Sequence, residues 1–180
     1  MSIEAVLDAQ RGMIVAPAGC GKTHLITEVL KKKQIKPYLV LTHTTAGVTA
    51  LKKRLNRFSV PPQNYIVATI DGWSLKIAGF FPGLCPLDVS RDNLARFYPS
   101  LRRSVLDLLL SGKINDAIRA SYSRLLVDEY QDCNVMQHEI TETLSHILPT
   151  VVLVTLCNVY SVSAVRCLTG SIRFRDVFLF

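Results

Sequence analysis

The sequence contains no cysteine pattern that would build a disulfide framework or a zinc site. Its five cysteines are an odd number, and no two of them are spaced as Cys-x-x-Cys. Disulfide-stapled secreted domains and zinc modules are therefore disfavoured, because both need cysteines paired at short, fixed spacings. We expect the chain to work in a reducing, cytoplasmic setting.

Long apolar runs are also missing. No segment approaches the roughly 18 uncharged apolar residues that a membrane helix requires, and no basic stretch followed by an apolar core marks an export signal at the N-terminus. Internal repeats and low-complexity tracts are absent as well. The 180 residues, 49% hydrophobic and 19% charged, predict one globular domain with no membrane partner.

Charge is unbalanced towards the basic side. The formal net charge is +7, from 21 basic against 14 acidic residues, which would suit a polyanionic partner such as nucleic acid. The short basic clusters at residues 31–33, 52–54 and 102–103 are equally typical of solvated helix faces. Charge alone therefore leaves both interpretations open.

A glycine-rich run after a short apolar segment is typical of a phosphate-binding loop. Small residues let the backbone wrap an anion, and the amides at the start of the following helix face the phosphates. In this pattern the lysine bridges the β- and γ-phosphates, and the threonine hydroxyl holds Mg²⁺. The predicted nucleotide-binding residues of the loop are Ala16, Pro17, Ala18, Gly19, Cys20, Gly21, Lys22 and Thr23.

A second run places two carboxylates after a short apolar strand. Residues 125–127 suit a buried parallel strand, which would deliver Asp128 to the edge of the sheet where ligands bind. Asp128 is then the second predicted Mg²⁺ ligand, and Glu129 can polarise an attacking water. With the loop, these residues predict an ATP-hydrolysing site whose catalytic residues are Glu129 and Lys22.

Apolar segments alternate with helical patterns along the chain. Strands are predicted at 12–16, 38–41, 65–70, 125–127 and 150–154, and helices at 3–10, 22–33, around 48–55, at 100–122 and at 134–147. This alternation predicts an α/β fold with a mostly parallel sheet and helices on both faces. The Pro-containing segment from about 80 to 122 interrupts it and is interpreted as a small helical insertion.

Across residues 4–148 the ordered motifs resemble the first RecA-like domain of a UvrD/Rep-type superfamily 1 DNA helicase. Residues 127–132, with Gln137 beyond them, resemble that family's Asp-Glu-aromatic-Gln-Asp signature and are the most specific match. The resemblance makes the domain a RecA-like P-loop NTPase. It also implies that Gln131 couples the nucleotide to DNA contacts.

Three further motifs carry the resemblance. Gln10 resembles the family's adenine-reading glutamine. Residues 41–44, together with residues 50–54, resemble a motif that binds single-stranded DNA, and Thr42 and Thr44 are its predicted DNA contacts. Residues 68–73 resemble a third motif, in which an aromatic side chain can stack on a base, and Trp73 is the aromatic residue there. A position in the hydrophobic core is an equally weighted alternative for Trp73. The sequence departs from the family at Ala46, Asp71 and His24, where lysine, histidine and arginine are usual.

The pattern breaks after Leu153, where the family continues with Gly-Asp-x-x-Gln. Codons compatible with residues 153–158 can spell Gly-Asp-Pro-x-Gln in a frame shifted by one base. We therefore interpret residues 1–153 as the RecA-like ATP-binding domain and residues 154–180 as an aberrant apolar tail, out of frame after a single-base loss near the Leu153 codon. A divergent C-terminus is the alternative, and the gene sequence distinguishes the two.

The resemblance implies the N-terminal ATP-binding part of an ATP-dependent 3′–5′ DNA helicase, with ATP and Mg²⁺ as cofactors and single-stranded or partly duplex DNA as partner. Family members hydrolyse ATP between two RecA-like domains, and an arginine finger is worth roughly 10³ to 10⁵ in rate. The chain, apparently truncated, is therefore expected to be weak or inactive alone. The alternatives are a catalytically inactive ATP- or DNA-binding fragment and a small-molecule kinase, against which Gln10 and Gln131 weigh.

Overall fold

The computed structural model describes residues 3–87 and 89–156, and the backbone alone of residues 176–179. They fold into an α/β domain with one parallel sheet covered by helices on both faces, so the predicted RecA-like fold class is confirmed. The helices are α1 (Ile3–Asp8), α2 (Lys22–Lys31), α3 (Thr45–Arg57), α4 (Ile70–Phe80), α5 (Leu94–Leu110), α6 (Asn115–Ser121) and α7 (Val135–Ser145). The strands are β1 (Arg11–Pro17), β2 (Tyr38–Thr42), β3 (Tyr65–Thr69), β4 (Arg124–Val127), β5 (Thr150–Leu156) and β6 (Asp176–Leu179).

The strands lie in the order β3-β2-β4-β5-β1-β6, and every pair is parallel. All carboxyl ends therefore meet at one edge of the sheet, the edge where open α/β sheets bind their ligands. The residues that end β1, β2, β3, β4 and β5 at this edge are Pro17, Thr42, Thr69, Val127 and Leu156.

Two apolar cores lie on opposite faces of the sheet, because side chains along a strand alternate between its faces. Helices α1, α2 and α3 pack on the face that carries Ile14 and Val40. Helices α4 to α7 pack on the face that carries Met13 and Leu41. None of the helices in the described residues is long and apolar enough to cross a membrane.

Two helices differ from the sequence prediction. Helix α4 was not predicted; the Thr69 hydroxyl starts it by accepting a hydrogen bond from the Gly72 amide at 2.8 Å. Helix α5 begins at Leu94, six residues before its predicted start, and runs through Pro99. The Asn93 side chain caps α5 by accepting a hydrogen bond from the Arg96 amide. The buried face of α5 continues on both sides of Pro99, so packing outweighs the backbone hydrogen bond that the proline cannot donate.

Most of the predicted aberrant tail, residues 154–180, lies outside the described residues. Residues 155 and 156 continue β5 beyond its predicted end at residue 154, and β6 pairs with β1 from Gly12↔Asp176 to Val15↔Leu179. The frameshift, the domain boundaries and the insertion at about 80–122 stay predictions.

Candidate active site

The loop between β1 and α2 has the backbone that anion binding needs. Gly19 and Gly21 both have φ of 80°, in the left-handed region that favours glycine. A Cβ added at either position would meet no atom within 4 Å, so backbone conformation and not crowding selects glycine here. Helix α2 starts at Lys22 without a side-chain cap, which leaves its first amides free to face a ligand.

The Lys22 ammonium group lies at the mouth of this loop. The side chain is only 8% exposed, and its Nζ donates to the carbonyl oxygens of Ala16 and Pro17, at 3.0 Å each. These neutral acceptors hold the ammonium in place without neutralising its charge. A phosphate at the loop would therefore meet a positioned cation.

Asp128 follows the last residue of β4, as predicted. Its amide donates to the Leu41 carbonyl oxygen of β2 at 2.9 Å, which continues the pairing of the two strands by one residue. Burial and the neighbouring Glu129 carboxylate raise the pKa of Asp128 to about 6, against the pull of Lys22 and His43. A cation placed beside Asp128 would relieve this cost.

Glu129 is held by a small hydrogen-bond network. Its φ of 50° lies in the left-handed region. Gln131 Nε2 donates to Glu129 Oε2 at 2.7 Å, and the Thr155 hydroxyl donates to the same oxygen. The Thr155 amide in turn donates to Gln131 Oε1 at 3.0 Å, so the three side chains fix one another.

These elements enclose a cleft of about 250 Å³, which we call the phosphate-loop cleft. It is lined by Ala18, Gly19, Gly21, Lys22, Thr23, Arg54, Glu129 and Thr155. The structure thus brings the phosphate loop and Glu129 to one space, while Ala16 and Pro17 contribute carbonyl oxygens beneath it. Cys20 is exposed and is not one of the lining residues.

Arg54 and Thr155 are lining residues that the sequence pattern did not assign to this cleft. Arg54 lies on α3, where the pattern indicated a solvated or DNA-facing helix face. Long helical side chains point back towards the helix N-terminus, which brings Arg54 to the carboxyl edge of the sheet. Thr155 had no signal, because it falls in the segment interpreted as out of frame.

The donor chemistry of this cleft fits a magnesium–nucleotide complex. Thr23 lines the cleft and offers a hydroxyl oxygen, while Asp128, beside Glu129 but not itself a lining residue, offers carboxylate oxygens. Oxygen is the ligand type that Mg²⁺ prefers, and this ion usually completes its shell with water and substrate phosphates. Within the described residues no group of three or more His, Cys, Asp or Glu side chains could hold a metal alone. The residues present therefore fit a metal that arrives with phosphate.

Gln10 lies at the opposite edge of the sheet. It immediately precedes β1, and its carbonyl oxygen accepts a hydrogen bond from the Thr150 amide at 2.9 Å. Seven strand residues separate it from the loop, a length of about 23 Å at the usual rise per residue. The structure does not bring Gln10 to the phosphate-loop cleft, which corrects the expectation that it reads adenine.

A second cleft, of about 450 Å³, opens at the same edge of the sheet above β2 and β3. We call it the threonine cleft; it is lined by His43, Thr44, Thr45, Thr69, Asp71, Gly72, Leu75 and Tyr98. Thr44 and Thr69 each cap a helix, accepting hydrogen bonds from the amides of Gly47 and Gly72. Thr44 is thus the one predicted DNA-contacting residue that reaches this surface.

Trp73 and Thr42 do not line it. Trp73 is 1% exposed, packs in the core beneath α4 and α5, and donates from Nε1 to the Tyr122 hydroxyl at 3.3 Å. Thr42 is 2% exposed. The expectation that their side chains contact DNA is therefore corrected, and Trp73 takes the core role that the sequence left open.

Comparison with known protein families matches residues 89–155 to the UvrD/REP helicase N-terminal domain. The matched segment runs from the loop before α5 into β5 and includes Asp128, Glu129 and Gln131. The phosphate loop lies before it. A search of curated proteins gave no match. The predicted resemblance to a UvrD-type helicase N-terminal domain is confirmed.

Proposed function

We propose that this chain, which resembles the N-terminal domain of UvrD/Rep-type helicases, binds Mg·ATP in the phosphate-loop cleft and single-stranded DNA in the threonine cleft. It would be the ATP-binding part of an ATP-dependent 3′–5′ DNA helicase; the polarity follows from the resemblance only. A cytoplasmic location is proposed from the cysteine content.

One observation carries the nucleotide-binding part of this proposal. The Lys22 ammonium and the Glu129 carboxylate, 107 positions apart in the sequence, line one small space at the carboxyl edge of the sheet, and Asp128 is the residue next to Glu129. Lys22 influences the pKa of Asp128, and Glu129 lines the cleft with the loop. Chance would not bring a cradle for phosphate and the acidic groups of hydrolysis together.

Each residue then has a distinct task. Lys22 and the first amides of α2 bind the phosphates, and Arg54 adds a second cation from α3. Thr23 and Asp128 hold Mg²⁺, which neutralises phosphate charge when bound. Glu129 orients the attacking water and accepts its proton, while Gln131 and Thr155 keep that carboxylate in position.

The DNA-binding part rests on different features. The threonine cleft offers the Thr44 and Thr69 hydroxyl groups at the starts of α3 and α4, where phosphate oxygens are stabilised. The net charge of +7 favours association with a polyanion. The Asp128 amide donates to Leu41 of β2, and His43 and Thr44 of the threonine cleft follow the end of that strand.

The alternative is an inactive ATP- or DNA-binding fragment. The described residues form one RecA-like sheet with its helices. Arg54 belongs to those helices, so it is not the arginine that a second domain would contribute. An arginine from a second domain is worth roughly 10³ to 10⁵ in rate. We therefore propose tight binding of Mg·ATP with slow turnover by this chain alone.

Calorimetry with Mg·ATP tests nucleotide binding. We expect the wild-type chain to bind, and Lys22→Ala to lose most of the binding heat. Lys113→Ala is the matched control, since Lys113 is an exposed lysine outside the lining of either cleft. Absence of binding by folded wild-type chain, or equal binding by Lys22→Ala, would overturn the nucleotide assignment.

An ATPase assay with and without single-stranded DNA separates enzyme from silent fragment. Turnover that DNA stimulates and that Glu129→Gln abolishes, with Mg·ATP binding retained, supports the helicase function. Binding without turnover under both conditions supports the inactive fragment. Transfer of phosphate to a small acceptor, with no response to DNA, would support a kinase instead.

A further inference from the structure

We propose that Tyr98 of α5 is the aromatic side chain on which a base of single-stranded DNA stacks in the threonine cleft. This inference rests on the proposed function, in which that cleft takes DNA. It assigns the stacking role to a residue of the helical segment between β3 and β4. The sequence motifs had pointed to Trp73, which is buried.

The threonine cleft already provides donors for a phosphate. The Thr44 and Thr69 oxygens accept from backbone amides, at 3.1 Å and 2.8 Å. A hydroxyl that accepts in this way still has its own proton to donate. The two hydroxyl groups therefore form a floor suited to phosphate oxygens, at adjacent strand ends.

Tyr98 provides an aromatic wall of the same cleft. Apart from the His43 imidazole, it is the one aromatic ring among the residues that line the cleft. Leu75 adds an apolar contact beside it. A nucleotide whose phosphate binds the threonine hydroxyl groups would project its base towards this wall, and every base offers a flat π face for stacking.

Two neighbouring side chains hold the Tyr98 ring in place. The Arg102 guanidinium, one helical turn further along α5, lies 5.9 Å from the ring centroid, and the Phe97 ring packs edge-on at 5.5 Å. Arg102 is held in turn by Asp71: Arg102 Nε donates to Asp71 Oδ1 at 2.7 Å, and Arg102 Nη2 donates to Asp71 Oδ2 at 2.6 Å. A positioned ring loses little conformational entropy on binding, which favours stacking.

Asp71 ties this arrangement to the acidic motif. Its Oδ1 also accepts a hydrogen bond from Gln137 Nε2 at 3.4 Å. Gln137 is 4% exposed and completes the capping box of α7, the helix that follows the Asp128–Asp132 segment. The family's usual histidine is thus replaced by a carboxylate that orients Arg102, and through it Tyr98.

Fluorescence anisotropy with two labelled oligonucleotides of equal length, oligo(dT) and an abasic deoxyribose-phosphate strand, tests the proposal. We expect Tyr98→Ala to weaken oligo(dT) binding roughly tenfold and to leave abasic binding unchanged. The slope of affinity against salt concentration should not change, because no charge is lost. Tyr98→Phe, which keeps the ring, should bind both strands like the wild-type chain.

Phe80→Ala is the matched control, because Phe80 is an exposed aromatic on α4 that does not line the cleft. Tyr98→Leu keeps apolar bulk without the ring, and it should resemble Tyr98→Ala if both variants are folded by circular dichroism. Equal oligo(dT) affinity for Tyr98→Ala and Phe80→Ala, or equal losses on both strands, would overturn the stacking role alone. Failure of the wild-type chain to bind either strand would overturn the proposed DNA function itself.

Discussion

Replacing Asp128 with asparagine should stabilise the metal-free protein at neutral pH. Burial, reinforced by the Glu129 carboxylate, raises the pKa of Asp128 from 3.8 to about 6. A shift of this size corresponds to about 3 kcal/mol of unfavourable free energy for the ionised side chain in the folded state. Asparagine removes the charge and keeps an oxygen that can accept the Glu129 amide, which Asp128 Oδ1 accepts at 3.1 Å.

The stabilisation by Asp128→Asn should grow as the pH rises. Below pH 4 the carboxyl group is protonated in folded and unfolded chains, so the substitution changes the unfolding free energy little. Between pH 4 and about pH 6 the unfolded chain has released the proton and the folded chain retains it, so the cost grows as pH rises. Above pH 6 the cost is constant, and the gain from Asp128→Asn should approach about 3 kcal/mol.

Urea titrations in EDTA at pH 4, 5, 6 and 7.5 measure the unfolding free energy of the wild-type and Asp128→Asn chains. The difference between the two chains at each pH gives the gain, because the contributions of the other titrating groups cancel. Asp107→Asn, an exposed carboxylate on α5, is the control and should show no such trend. A gain at pH 7.5 no larger than that at pH 4, or a destabilised Asp128→Asn chain at pH 7.5, would refute the reasoning. Added Mg·ATP should stabilise only the wild-type chain of this pair.

Four further substitutions test other parts of the structure. Trp73→Ala should cost about 3 to 5 kcal/mol of unfolding free energy, measured in urea, because it leaves a cavity in the core; weaker DNA binding without lost stability would contradict the core role. Thr155→Val should slow ATP hydrolysis roughly tenfold in single-turnover assays, because it removes the hydroxyl hydrogen bond that holds Glu129. The Mg·ATP affinity measured by calorimetry should not change, and an unchanged hydrolysis rate would contradict a role for this network. Arg102→Ala and Asp71→Ala should each cost about 2 kcal/mol and fail to add in a double-mutant cycle.

The sequence predicted those parts of the site that local chemistry determines. A phosphate loop needs glycines, a lysine and a threonine at fixed spacing within one turn, so its residues could be named before the structure. Asp128 and Glu129 could be named for a similar reason, because a short apolar strand ends where they begin. The structure adds that the two segments meet in one cleft.

The residues placed wrongly are those whose position depends on long-range packing. Gln10 is near the loop in sequence, yet the extended length of β1 puts it at the far edge of the sheet. Trp73 is the last residue of the motif at 68–73, and it lies on the buried face of α4, which the sequence did not predict. Tyr98 carried no motif signal, and the motif that contains Arg54 indicated DNA and not the nucleotide cleft. Helices α5 and α3 bring these two residues to the clefts only once the helices are packed.

The hydrogen bond from the Asp128 amide to the Leu41 carbonyl oxygen has a consequence for communication within the domain. It makes Asp128 and the end of β2 neighbours at one strand spacing, about 4.8 Å. His43, two residues after Leu41, lines the threonine cleft and also acts on the Asp128 pKa, behind burial, Glu129 and Lys22. A DNA strand bound in that cleft as proposed, by displacing the imidazole, would change the electrostatic field at Asp128, the proposed magnesium ligand, without a hinge or relay between them.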